Sequence, residues 1–90
     1  MNFDRRFVIP AESMSRMVGT ESVILHLTSG TYFGLDPVGA RIWTLLSEGK
    51  NLTEICAQLR DEFDVGREQV EADVFRLVAE LTERGLIREA

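Results

Sequence analysis

Histidine and cysteine are nearly missing from this 90-residue chain, which holds one of each, His26 and Cys56. A lone cysteine excludes an internal disulfide and suits a reducing compartment. The pair leaves no cluster at metal-ligand spacing. A Cys–His nucleophile would also lack a third group to orient it. No apolar run reaches the roughly 18 residues of a membrane span. The start, Met1-Asn2-Phe3-Asp4-Arg5-Arg6, leads only into Phe7-Val8-Ile9, with no signal-peptide core, so a cytoplasmic protein is expected. Basic charge is short as well. Ten Lys and Arg stand against fifteen Asp and Glu, a net charge of −5, whereas phosphate-coating surfaces carry basic stripes. Gly30, Gly34 and Gly39 are followed by no lysine and do not make a phosphate loop. Gly30 is read as a positive-φ hairpin turn and Gly39 as a close-packing site.

What the chain does have is a change of period. A hydrophobic content of 44% in 90 residues fits one domain over residues 1–90. Residues 1–12 form an N-terminal segment whose Phe7-Val8-Ile9-Pro10 run is read either as a short edge strand or as a packed tail. Ser13–Val18, Ser22–Leu27 and Thr31–Leu35 are β-type runs separated by Gly19-Thr20-Glu21 and Thr28-Ser29-Gly30. Short connections make them an antiparallel meander.

After Leu35 the period becomes about 3.6. Asp36-Pro37 is a helix start, with a capping oxygen and a proline at the first helical position. Val38, Ile42, Leu45 and Leu46 form the first stripe. Asn51 and Glu54, at capping-box spacing, open a second helix striped by Leu52, Ile55, Cys56, Leu59 and Phe63. A third runs from about Arg67 to Arg84, with Val70, Val74, Leu77, Val78 and Leu81 on one side. The fold class is therefore α+β, a three-stranded antiparallel sheet followed by three helices, winged helix-turn-helix-like.

A winged-helix regulator of DNA is one reading of that order. Its recognition helix would be the third, where Arg67, Arg76 and Arg84 are outnumbered by Glu68, Glu71, Asp73, Glu80 and Glu83. An acidic helix is repelled by a duplex, so no nucleic-acid partner is expected. A scaffold subunit of a biosynthetic enzyme is another alternative. The open edge of Thr31–Leu35 points elsewhere. Thr31, Tyr32, Phe33, Gly34 and Leu35 include no lysine or proline to blunt it, and an extended peptide can add there as a fourth strand. Phe75, one position off the third helix's stripe, is read either as a flanking core residue or as the wall of a groove beside that strand. Trp43 is assigned to core packing, and His26 to a surface or hydrogen-bonded strand position.

Three stretches resemble the signature of the PqqD family: Val23-Ile-Leu-His-Leu27, Thr28-Ser-Gly-Thr-Tyr-Phe-Gly-Leu-Asp36 and Val38-Gly-Ala-Arg-Ile-Trp-Thr-Leu-Leu46. The ending, with Val70-Glu-Ala-Asp-Val74, Leu77 and Glu83-Arg-Gly-Leu-Ile87, is similar too. The resemblance covers residues 13–88. It implies a RiPP recognition element, a non-enzymatic module without cofactor that binds the leader of a ribosomally made precursor peptide. The leader would add to the third strand at Thr31–Leu35. Carried onto this chain, the opposing wall would be Glu71, Val74, Phe75 and Val78. The implied partners are that leader and a tailoring enzyme, either a transglutaminase-like leader peptidase or a radical SAM enzyme. The Phe-Val-Ile-Pro run and the length resemble the lasso-peptide version more than the pyrroloquinoline quinone one. One departure is His26, where the family usually has an aspartate before the turn.

Overall fold

Residues 3–90 are described in the computed structural model, and Met1 and Asn2, at the head of the N-terminal segment, lie outside the described residues. The elements in chain order are β1 (Phe7–Val8), β2 (Ser13–Val18), β3 (Glu21–His26), β4 (Thr31–Leu35), α1 (Pro37–Ser47), α2 (Leu52–Glu62), α3 (Arg67–Glu83) and β5 (Arg88–Glu89). β2, β3 and β4 form an antiparallel sheet in that spatial order, so the fold is α+β as expected.

One face of the sheet is apolar and takes the helices. Ile24 of β3 and Leu35 of β4 are buried there with Ile42, Trp43 and Leu46 of α1. α1 lies on β3, and α2 packs against both α1 and α3. Leu52, Ile55 and Leu59 of α2 and Val70, Val74, Val78 and Leu81 of α3 complete the interior. Cys56 sits on the α2 stripe as a small hydrophobe. Leu86 and Ile87 fold back into this core and are 3% and 2% exposed. Ser13 Oγ donates to the Leu86 carbonyl at 3.0 Å, tying the sheet to the tail.

The helix starts follow their sequence signals. Asp36 Oδ1 accepts the Gly39 N–H at 2.7 Å, with Pro37 at the first helical position. A Cβ at Gly39 would come to 3.2 Å from Asp36 Oδ1 and from Leu35 Cδ2, so a larger residue there would make the capping carboxylate or Leu35 shift by a few tenths of an ångström. Asn51 and Glu54 form the reciprocal capping box of α2.

At the chain ends the Phe7-Val8 run is a short strand, the first of its two readings, and its partner lies at the other end of the chain. β1 pairs antiparallel with β5, Phe7 opposite Glu89 and Val8 opposite Arg88. Two polar residues have no strand signature of their own; their pairing is set by a partner at the far end of the chain. The segment before β1 runs across the start of α2, where Thr53 N–H donates to the Phe3 carbonyl at 3.0 Å. That supplies an acceptor for one of the donors a helix start leaves unpaired.

Arg41 of α1 grips the Glu62 carboxylate of α2 with two bonds of 2.7 Å. Arg41, and secondarily Gln58, hold the Glu62 carboxyl below the ordinary glutamate value. A depressed folded-state pKa contributes stability that is full above the unfolded value, about 4.3, and is lost as pH falls through the folded one. Glu62→Gln is therefore expected to destabilise slightly at neutral pH and to lose that difference in acid. Urea midpoints measured across that range check this. The pair is partly exposed, and the effect is correspondingly small.

Candidate functional site

The site is an edge and the helix that stands beside it. β4 pairs with β3 alone, so its other side is unpaired among the described residues. Register decides where its side chains point. Thr31, Phe33 and Leu35 lie opposite His26, Ile24 and Ser22, and Ile24 and Ser22 are buried, so these three face the helices. Tyr32 and Gly34 face the open side, and Tyr32 is 71% exposed. β2, the sheet's other edge, is exposed at every residue after Ser13 and carries the charge of Arg16. A charge of that kind discourages edge pairing.

The turn that delivers β4 is fixed without the family's usual aspartate. His26 Nδ1 and Ser29 Oγ are hydrogen-bonded at 2.8 Å, and Ser29 Oγ and Thr31 Oγ1 at 2.7 Å. Gly30, at φ +72°, completes the reversal and donates its N–H to the His26 carbonyl. His26 thus spans the hairpin by way of the Ser29 hydroxyl.

Beside β4 an open cleft of about 420 Å³ separates the strand from α3. Its floor comprises Leu35, Asp36, Val38, Gly39 and Ile42, with Phe33 and Gly34 along the strand side. The helix side is Asp73, Arg76, Leu77 and Glu80. This cleft is lined by other α3 residues than the wall expected from sequence. Val74 and Val78 are 0% and 1% exposed and belong to the core. Phe75 stacks on Phe3, ring centroids 4.7 Å apart, and Glu71 lines a separate hollow with Phe3, Thr53 and Cys56. At about 100° per residue, Phe75 points some 160° away from Leu77. Of the nine residues expected to form the site, the structure brings together the β4 set and leaves the α3 set elsewhere. The missed signal is the spacing 73, 76, 77, 80, a face with one apolar residue, Leu77, between charged ones. Leu77 belongs to the apolar stripe by its spacing and is half-buried at the core's rim.

The helix side of the cleft carries charges of alternating sign. Arg76 lies 3.3 Å from Asp73 and Arg84 lies 3.6 Å from Glu80. The Arg84 guanidinium also sits over the Phe33 ring, 5.0 Å from its centroid, a cation–π arrangement. A smaller hollow of about 230 Å³ continues past it, lined by Thr31, Tyr32, Phe33, Arg84 and Leu86. A half-apolar channel beside an unpaired backbone edge can hold an extended peptide.

Outside the cleft, burial pushes the Cys56 thiol above its ordinary value, which disfavours the nucleophilic thiolate. Among the described residues no group of three or more His, Cys, Asp or Glu side chains is placed to hold a metal ion. No helix among them is long and apolar enough to cross a membrane.

The family described as coenzyme PQQ synthesis protein D (PqqD) matches residues 21–87. Two solved structures are similar over nearly the whole chain. TbiB1, solved in complex with the TbiA(beta) leader peptide, is 42% identical over 89% of this chain and 93% of its own, with a TM-score of 0.83. A lasso peptide synthetase B1 complexed with the leader peptide is 28% identical over 92% of this chain and 98% of its own, with a TM-score of 0.84. Comparison with curated protein sequences gave no match.

Proposed function

The chain belongs to the PqqD family, and from that premise we propose that it binds the leader of a ribosomally synthesised precursor peptide and presents it to a modifying enzyme. The leader adds to β4 as a fourth strand. Its backbone pairs with the unpaired edge of Thr31–Leu35, and alternate side chains enter the cleft between β4 and α3. The wall they meet is Asp73, Arg76, Leu77 and Glu80, in place of the Glu71, Val74, Phe75 and Val78 expected from sequence. The observation that carries this reading is the cleft itself. It runs along the uncharged edge of the three-stranded sheet, and its floor is mostly apolar.

The protein acts in this reading by binding, with catalysis left to its partner. The similarity to lasso peptide synthetase B1 favours a lasso-type pathway, in which the receiving enzyme is a transglutaminase-like leader peptidase rather than a radical SAM enzyme. All of residues 1–90 act as a single recognition domain.

Fluorescence polarisation of a labelled TbiA(beta) leader tests the proposal. Saturable binding is expected at or below the order of tens of micromolar. Substituting proline along the docked stretch of the peptide should weaken it, because proline cannot donate to the ladder. No saturable binding to that leader, or indifference to proline everywhere, contradicts it.

A further inference from the structure

The inference drawn here rests on the strand-docking reading and deepens it: we infer that Arg84 selects a carboxylate at the C-terminal end of the docked strand. The cleft differs along its length. At the Leu35 end the peptide's inward side chains meet Leu35, Val38, Ile42 and Leu77; of the charges there, Asp36 accepts the Gly39 N–H, and Asp73 and Arg76 are ion-paired at 3.3 Å, with Glu80 further along the helix. At the Thr31 end the smaller hollow is roofed by Arg84. Its backbone is anchored as the cap of α3, with N–H donated to the Glu80 carbonyl, and Gly85 follows at φ +75°. Its guanidinium is steadied by Phe33 beneath it. The contact with Glu80, at 3.6 Å, is too long for a good hydrogen bond. The guanidinium is thus ion-paired with Glu80 without a hydrogen bond to it, which leaves its N–H donors able to take a second carboxylate, and it lines the hollow at the Thr31 end of β4.

Orientation follows from pairing. An antiparallel strand is the slightly more stable addition. β4 runs from Thr31 to Leu35, so the added strand ends, C-terminally, beside Thr31. Every second residue of that strand points to the helix side. The last of them enters the hollow under Arg84, after the residues that fill the apolar part of the cleft. A carboxylate there can accept two parallel bonds from the guanidinium. A lysine meets a like charge.

The test uses the TbiA(beta) leader with Asp, and separately Lys, placed at each position in turn. Binding is measured at low salt to the wild-type protein, Arg84→Gln and Arg84→Glu. One position on the C-terminal side of the apolar anchors should bind about fivefold tighter with Asp than with Lys, the size of an exposed ion pair. Arg84→Gln should flatten that preference and Arg84→Glu should reverse it, with other positions unchanged. An Asp preference that survives Arg84→Gln, a preference only on the N-terminal side, or none at all overturns the inference. Binding of the unaltered leader is measured first and separates the two claims. If it fails, the docking reading fails and this inference with it; if it holds and the scan is flat, only the role of Arg84 falls.

Discussion

Leu77→Asp is expected to weaken leader binding by at least about tenfold while leaving the protein folded. Leu77 is half-buried at the rim of the core and is the one apolar residue on the cleft side of α3. Docking of a peptide removes its remaining surface from water. Fully burying a leucine side chain contributes about 1.5–3 kcal/mol, and a carboxylate in its place must be desolvated instead. Phe75→Asp is the matched control, two residues away on the same helix. It removes the stack on Phe3 and should lower stability, yet leave the affinity of the folded protein within about twofold, a difference of some 0.4 kcal/mol. Titrations of both variants, with circular dichroism to establish folding, decide which side of α3 faces the peptide. Weakened binding in folded Phe75→Asp with none in Leu77→Asp would return the wall to the position first read from sequence.

The second large effect is on folding. Val78→Asp should prevent a stable native state. Val78 is 1% exposed and lies in the cluster that joins α3 to the rest of the interior. A buried carboxylate without a partner costs several kcal/mol, against a net stability of about 5–15 kcal/mol for a domain of this kind. Loss of the cooperative urea transition is the expected result. A folded Val78→Asp protein with impaired binding would instead put Val78 in the groove. Residues 75, 77 and 78 thus have three distinct phenotypes within one turn of helix.

That contrast shows what was legible in the chain. Periodicity placed α3 and its stripe correctly because burial of Val70, Val74, Val78 and Leu81 is a property of the helix against the core as a whole. It did not say which flank of the stripe borders β4 and which borders α2. Phe75 and Leu77 are both apolar residues beside the stripe, and only tertiary packing separates them. The edge position of Thr31–Leu35 was legible because strand order followed sequence order. The pairing of β1 with β5 was illegible for the opposite reason: its partners, Phe7 with Glu89 and Val8 with Arg88, are 82 and 80 residues apart, and its register is fixed by folding of everything between. His26 shows a third case. The departure from the usual aspartate was visible, but its compensation through Ser29 and Thr31 depends on hairpin geometry.

The central claim is that β4 is the edge that receives the peptide. Residue-resolved amide hydrogen exchange, with and without saturating leader, addresses it directly, because strand addition turns unpaired backbone donors into bonded ones. The account predicts new protection at alternate amides within Thr31–Leu35, with the amides of β2, Ser13–Val18, unchanged. Protection at β2 with none at β4 would contradict it.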